Sequence, residues 1–156
     1  MRILIFSDSH GDISLCTSVV TKIGADMIIH AGDHAVDAQR LEKIFPDIPV
    51  KYVKGNCDFS SAPSELSFYL PENKKIYVTH GHIYNVKSSY LSLELKSREE
   101  NADLVIFGHT HIPYYLNTGE TIFVNPGSIK SSRTFAVAEL EDGKLSADIL
   151  NAADWM

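Results

Sequence analysis

The first third of the chain alternates short apolar runs with helical stripes, and this alternation sets the fold class. The apolar run at 2–6 is typical of a strand buried on both faces, and further strands are predicted at 27–29 and 50–53. Between them, apolar residues at helical spacing predict one helix that ends at Gly24 and a second that Pro46 stops. The second stripe consists of Ala38, Leu41, Ile44 and Phe45. A strand–helix–strand–helix–strand order requires parallel pairing with right-handed crossovers, so the chain is predicted to be an α/β protein.

The later part of the chain is predicted to contain hairpins, one helix and one more buried strand. Polar turn segments separate β-branched and aromatic runs there, which is the usual pattern of a hairpin. The predicted hairpins span residues 68–78, 114–124 and 135–150. A helix is predicted within 86–100, with Leu91 and Leu95 as its apolar positions, and a buried strand at 104–107. We expect a second, largely antiparallel sheet that packs against the first.

Length and composition are those of an ordinary globular protein, predicted to form a single domain over 1–156. A chain of 156 residues can bury roughly 68–70% of its unfolded surface without help from disulfides. The net charge of −6 argues against nonspecific binding to nucleic acid or to membranes, because both favour basic surfaces. No apolar run approaches the roughly 18 residues of a membrane span, and the two cysteines, Cys16 and Cys57, make no disulfide framework. We expect a cytoplasmic protein.

Metal-competent side chains follow five of the predicted strands. The motifs are Ser-Asp-Ser-His, Ala-Gly-Asp, Gly-Asn-Cys-Asp, Thr-His-Gly-His and Gly-His-Thr-His. The candidate ligands are Asp8, His10, Asp33, Asn56, His80, His109 and His111. Because open α/β sheets bind ligands at the carboxyl ends of their strands, these side chains are expected to converge. Each motif alone is more often a turn or a solvated histidine, but five together in one small chain indicate a single site.

The donor set indicates two transition-metal ions. Four imidazoles, two carboxylates and one amide are more donors than one tetrahedral ion can use. Mixed nitrogen and oxygen donors without thiolate suit manganese, iron, cobalt, nickel or zinc rather than calcium, and manganese is the ion we expect first. Two divalent ions would outweigh the two carboxylates and attract a phosphodiester monoanion. Paired metals of this kind support in-line displacement at phosphorus.

The order of the five motifs resembles that of the calcineurin-like metallophosphoesterase superfamily. The short chain, Gly-Asn-Cys-Asp and the segment Asn-Pro-Gly-Ser at 125–128 are similar to its small bacterial and archaeal phosphodiesterase branch. The resemblance runs from residue 3 to about residue 128. It implies a two-sheet β-sandwich of mixed sheets flanked by helices, in four layers ordered αββα. It also implies a dinuclear metal-dependent phosphodiesterase, a hydrolase that uses a metal-bridging hydroxide as the in-line nucleophile.

The resemblance also implies a role for each candidate ligand. The ligands of the first ion would be Asp8, His10 and His111, and those of the second would be Asn56, His80 and His109. Asp33 would bridge both ions through its two carboxylate oxygens. The predicted catalytic residues are Asp33, Asn56 and His82. His82 lies two residues beyond His80 and is expected to face the same cleft, where it either contacts phosphate or has a structural role.

Cys57 departs from the pattern of this family. Many of its members carry histidine directly after the metal-binding asparagine, where it is thought to assist the leaving group or to bind phosphate. A neutral thiol cannot act as an imidazolium acid. We therefore expect the protein either to favour substrates with good leaving groups or to recruit a donor from elsewhere.

Four other polar residues are interpreted from their positions. His30 lies inside an apolar strand and is interpreted as a packed histidine rather than a ligand. His34 is interpreted as a solvated loop residue, and Arg133 as an exposed one. Asp58 either orients a nearby ligand or is an exposed turn carboxylate.

Two other functions compete with the phosphodiesterase interpretation. The first is a phosphoesterase-like scaffold that binds protein partners without catalysis, as in the retromer complex; retention of every candidate ligand argues against it. The second is a metal-dependent nuclease, for which the chain lacks a basic groove. The expected partners are a small phosphodiester substrate and further copies of the chain in a homo-oligomer, with no stable nucleic-acid partner and no membrane.

Overall fold

The structure is a computed structural model that describes residues 1–156. Every strand and α-helix predicted from the sequence is present. The strands are β1 (Arg2–Phe6), β2 (Met27–His30), β3 (Val50–Tyr52), β4 (Glu65–Tyr69), β5 (Lys75–Thr79), β6 (Leu104–Ile106), β7 (Tyr114–Asn117), β8 (Ile122–Asn125), β9 (Thr134–Glu141) and β10 (Lys144–Asn151). The α-helices are α1 (Ser14–Ile23), α2 (Ala35–Ile44) and α3 (Leu91–Glu100).

The strands form two mixed sheets of five strands each. In the first sheet, ordered β10-β9-β1-β2-β3, β1 pairs in parallel with β2 and antiparallel with β9. In the second sheet, ordered β4-β5-β6-β8-β7, the three central strands are parallel and an antiparallel strand closes each edge. The α/β class is confirmed, but the expectation of a largely antiparallel second sheet is wrong. The crossover through α3 makes β5 and β6 parallel, and the β9–β10 hairpin adds to the first sheet instead.

Side chains of β1 show why its apolar run is continuous. Ile3 and Ile5 belong to the core between the two sheets, together with Val78 from β5. Leu4 and Phe6 point the other way and join the core under α1 and α2. Because successive side chains of a strand alternate between faces, a strand covered on both sides must be apolar throughout.

A third core completes the four layers. Leu93 of α3 packs with Tyr77, Val105 and Phe107 on the outer face of the second sheet. Helices therefore cover the outer faces of both sheets, and the two sheets share the central core. Burial of each large apolar side chain in such a core stabilises the fold by roughly 1.5–3 kcal/mol.

Two of the predicted helical stripes are partly wrong. Ile44 is 47% exposed although it stands in the predicted stripe of α2, because the helix packs through Ala35, Ala38 and Leu41. Leu91 and Leu95 are 60% and 52% exposed, and α3 packs through Leu93 and Ser97. No helix is both long enough and apolar enough to cross a membrane.

Candidate metal centre

The loops that follow five strands meet at one edge of the two sheets. The Asp8 backbone N–H donates to the Gly32 carbonyl at 3.0 Å, which joins the loops after β1 and β2. The Gly108 N–H donates to the His80 carbonyl at 3.0 Å, which joins the loops after β6 and β5. The His109 N–H then reaches Asp8 Oδ2 at 3.2 Å, so the two sheets contact each other here. The convergence predicted from the strand ends is therefore what the fold produces.

The first group of candidate ligands, here called the Asp8 set, consists of Asp8, His10 and His111. Asp8 Oδ1 lies 3.1 Å from His111 Nε2, and the Nε2 atoms of His10 and His111 are 3.5 Å apart. Asp33 adjoins this set, with Oδ2 at 3.8 Å from His10 Nε2. One ligand atom from each of these four residues lies within 4.8 Å of the others, so they can hold one metal ion.

The second group, here called the Asn56 set, consists of Asn56, His80 and His109. His80 Nε2 lies 3.1 Å from Asn56 Oδ1 and 3.4 Å from Asp33 Oδ1. The rings of His80 and His109 are 5.1 Å apart between centroids. Asp33 therefore stands between the two sets and presents one carboxylate oxygen to each.

The ring of His80 is held in a fixed orientation. Its Nδ1 lies 2.7 Å from the Ala31 carbonyl and donates to it, so Nε2 is directed toward Asn56 and Asp33. Burial opposes a charge on His80, but the hydrogen bond to Asp33 and the charges of Asp8 and Asp33 raise its pKa. The convergence of these nitrogen and oxygen atoms therefore favours a proton or a cation between them.

The neighbouring groups have the protonation states that metal ligands need. Burial alone would raise the pKa of Asp33, but His80 and the backbone N–H of Cys57 together hold it well below its usual range. Burial, followed by the charges of His80 and Lys87, lowers the pKa of His109 to about 4. Asp33 is therefore a carboxylate and His109 a neutral imidazole at neutral pH, and both have lone pairs available.

The carboxylate of Asp8 has an oxygen that suits a cation. Its Oδ2 accepts from Ser7 Oγ at 2.6 Å and from the His109 N–H. Its Oδ1 is buried and has no hydrogen-bond partner in the protein. Buried polar atoms are almost always paired, and a carboxylate oxygen aimed at histidine nitrogens is paired well by a metal ion.

Most of the candidate ligands have an unusual backbone conformation. Five of them adopt left-handed backbone conformations that side chains other than glycine seldom take. They are Asp8 (φ 54°), His10 (φ 45°), Asp33 (φ 56°), His109 (φ 70°) and His111 (φ 60°). Such strain persists only where surrounding contacts hold the chain, and it is typical of functional sites.

The other polar residues singled out from the sequence lie around the two sets. His82 is beside the Asn56 set, 5.4 Å from the His80 ring between centroids, and its Nδ1 is buried without a partner. His34 is half-buried rather than fully solvated, and the centroid of its ring lies 5.2 Å from that of His10. Asp58 binds the N–H groups of Ala35 and Gly55 rather than a ligand side chain. Arg133 is exposed, as expected.

Sequence reasoning missed a buried polar network behind the Asp8 set. His30, Ser9 and Asp37 are all fully buried and joined by hydrogen bonds. Burial is the main cause that lowers the pKa of His30 to about 4, so its ring is neutral. The available signal was the position of Asp37 four residues before Leu41, which places an acid on the buried face of α2.

Comparison with known proteins agrees with the motifs. The model of the calcineurin-like phosphoesterase superfamily domain matches residues 1–143. YsnB, a probable metallophosphoesterase of Bacillus subtilis strain 168, is 34% identical over 150 residues, which are 91% of this chain and 86% of YsnB. YfcE, a phosphodiesterase of Escherichia coli strain K12, is 26% identical, with 97% of this chain and 93% of YfcE covered.

A solved structure shows the same fold. It is that of a conserved uncharacterized protein from Streptococcus pneumoniae TIGR4, described as a predicted phosphoesterase. The two structures agree with a TM-score of 0.80 and 30% sequence identity, over 97% of this chain and 90% of the other. The two-sheet fold implied by the motif resemblance is confirmed.

Proposed function

The chain belongs to the calcineurin-like phosphoesterase superfamily, and from this premise we propose that it is a metal-dependent phosphodiesterase with two ion sites. The observation that carries the proposal is the placement of Asp33. Its Oδ2 lies 3.8 Å from His10 Nε2, and its Oδ1 lies 3.4 Å from His80 Nε2. A carboxylate that presents one oxygen to each of two ligand sets can be shared by two ions.

The Asp8 set would hold the first ion and the Asn56 set the second, with Asp33 shared between them. The imidazole, carboxylate and amide donors suit a transition metal, and manganese is the ion we propose first. When bound, two such ions would supply a hydroxide nucleophile at neutral pH and neutralise charge on the phosphoryl oxygens.

The protein's own residues would place the substrate beside these ions. Asn56 is exposed, so the amide stands where a phosphodiester can enter. His82 is half-buried beside the Asn56 set, with its ring 5.4 Å from that of His80, so the exposed part of the ring would contact a phosphoryl oxygen. Partial desolvation and then the charge of His80 lower the pKa of His82, so it would contact phosphate as a neutral hydrogen-bonding group.

Metal removal tests the proposal. Metal-stripped protein is expected to be inactive, and added Mn²⁺ is expected to restore hydrolysis of an aryl phosphodiester above that of the matching monoester. Ca²⁺ is expected to restore less activity, because it prefers an all-oxygen shell to one containing histidine nitrogen. The measurement is the initial rate on each substrate with each ion. Two bound ions without turnover on either ester would contradict the proposal and favour the inactive scaffold.

Cys57→His tests what the missing histidine does. Partial desolvation and the charge of Asp33 raise the pKa of the Cys57 thiol, so the native side chain is neutral. Its backbone N–H already donates to Asp33 Oδ1 at 3.0 Å, while the side chain is exposed at the rim of the site. A histidine there can protonate a poor leaving group, an effect worth typically 10²–10⁴-fold when fully realised.

The expected result of Cys57→His is a larger gain on an alkyl diester than on an aryl diester, by at least about tenfold. The measurement is the ratio of kcat/KM for the two substrates in wild type and variant. Cys16→Ala is the matched control, since Cys16 is buried in the core under α1. An unchanged ratio would show that position 57 has no part in leaving-group departure.

A further inference from the structure

We propose that Asp37 is a positioning residue that holds the Asp8 set in its metal-binding geometry, an inference that rests on the proposed function. Asp37 lies in the first turn of α2, and its side chain is only 1% exposed. It makes no hydrogen bond to either set. Besides Arg40 on the same helix, its partners are Ser9 and Gly11, the residues on both sides of His10.

The carboxylate of Asp37 fixes the loop after β1 at two points. Its Oδ2 accepts the Ser9 hydroxyl at 2.7 Å and the Gly11 N–H at 2.8 Å. Arg40, half-exposed on α2, donates from Nη1 to Asp37 Oδ1 and to the Gly11 carbonyl, both at 3.1 Å. The residues on either side of His10 are therefore tied to the helix, Ser9 through its hydroxyl and Gly11 through its backbone.

His30 extends this connection to the loop that carries Asp33. The Gly32 N–H donates to His30 Nδ1 at 3.3 Å, so the proton of the neutral ring is on Nε2. His30 Nε2 lies 2.9 Å from Ser9 Oγ and donates to it, and Ser9 in turn donates to Asp37. One chain of hydrogen bonds thus runs from the residue before Asp33 to the residue after His10.

The network also restrains backbone conformations that are unfavourable on their own. Asp8, His10 and Asp33 all have positive φ angles, which an unrestrained chain would leave. Residues that orient metal ligands through hydrogen bonds typically affect metal affinity by 10–100-fold. The Asn56 set has its own attachment, since Asp58 binds the N–H groups of Ala35 and Gly55. Loss of Asp37 should therefore affect the two sets unequally.

The test is calorimetric titration of metal-stripped protein with Mn²⁺, and Asp37→Ala is the main variant. It is expected to weaken one of the two Mn²⁺ binding steps by roughly 10–100-fold. His10→Asn removes a ligand of the Asp8 set, so the step that this second variant weakens is the step that belongs to the Asp8 set, and Asp37→Ala should weaken the same one. The other step should stay at its wild-type affinity. Asp37→Asn should restore most of the loss, because an amide oxygen can still accept from Ser9 and Gly11.

Asp103→Ala is the matched control. Asp103 also binds a backbone N–H, that of Lys75 at 2.8 Å, and lies near a lysine, but it precedes β6 at the opposite end of the sheet. Both Mn²⁺ binding steps of Asp103→Ala should have the affinities measured for wild type. Should Asp37→Ala fail to fold, Ser9→Ala is a nearly isosteric change that removes one of the two hydrogen bonds between Asp37 and the loop, together with the link to His30, and is expected to weaken the same step.

Three results would overturn the inference. Unchanged binding in Asp37→Ala, or in Ser9→Ala where it stands in, would show that the network does not position the Asp8 set. Equal weakening of both steps would assign Asp37 a general structural role. Failure of wild-type protein to bind Mn²⁺ would overturn the proposed function as well, and so is distinguishable from failure of the inference alone.

Discussion

Asp33→Asn is expected to reduce phosphodiester hydrolysis by at least about 100-fold, because loss of even an indirect partner of a metal ligand can have an effect of that size. Asp33 presents one oxygen toward His10 and the other toward His80. An asparagine has one oxygen and no charge, so it cannot serve two ions. Both sites would lose the negative charge that they share.

The two sets should lose metal unequally in this variant. The Cys57 N–H donates to Asp33 Oδ1 at 3.0 Å and will keep an oxygen at that position. The amide nitrogen of the variant must then face His10, where it cannot bind a cation. The first site is therefore expected to empty, while the second retains an ion of lower affinity.

Metal content per protein and kcat/KM, measured on the same preparation, check this expectation. Asp148→Asn is the control, since Asp148 is exposed on β10. This substitution removes the same negative charge at a position away from the site. Two tightly bound ions with wild-type turnover in Asp33→Asn would contradict the bridging role. Loss of the second ion with retention of the first would contradict the expectation that the Cys57 N–H holds the amide oxygen of the variant toward the Asn56 set.

Strand positions could be predicted from the sequence because each depends on a few neighbouring residues. The apolar run of β1 and the turn between β9 and β10 are local signals. The pairing of β1 with β9 is not local, since Ile5 lies opposite Ala136 more than a hundred residues away. No pattern within the hairpin distinguishes an edge of the first sheet from an edge of the second, so the sequence does not show which sheet the hairpin joins.

The exposed leucines of α3 have a related cause. Leu91 and Leu95 are spaced as a helical stripe, but Leu93 is the leucine of α3 that packs with Tyr77 and Phe107 on the second sheet. A single leucine, Leu93, then suffices on the buried face. Helix register depends on the shape of the opposing surface, which the sequence of the helix does not contain.

The candidate ligands were predictable for a different reason. Each lies in the loop that follows a strand, and parallel strands bring their carboxyl ends together whatever the details of packing. Asp37 lies on a helix, and its relation to Gly11 depends on how α2 crosses the first sheet. Residues that hold ligands in place could therefore be identified only from the structure, whereas the candidate ligands could be predicted from the motifs.

Gly55→Ala is expected to lower phosphodiester hydrolysis by roughly 10²-fold, the effect that a misplacement of about 1 Å can have on catalysis. A Cβ at position 55 would overlap Asp33 Oδ1 and lie 2.6 Å from the backbone nitrogen of Asp33. That nitrogen cannot move aside as a flexible side chain could. The Gly55 N–H is itself held by Asp58 at 2.7 Å, so the carboxylate of Asp33 must shift.

Gly119→Ala separates this displacement from the general effect of replacing a glycine. Gly119 has a φ of 89°, so its substitution strains the backbone, but nothing lies within 4 Å of the added carbon. We expect Gly119→Ala to lower the thermal midpoint while its Mn²⁺ affinity and kcat/KM stay at wild-type values. Gly55→Ala should lose Mn²⁺ affinity in both binding steps, because the residue it displaces is shared by both sets. Wild-type affinity and turnover in Gly55→Ala would mean that the ions tolerate a displaced Asp33. That result would contradict the bridging role of Asp33, because a carboxylate shared by two ions must keep its position.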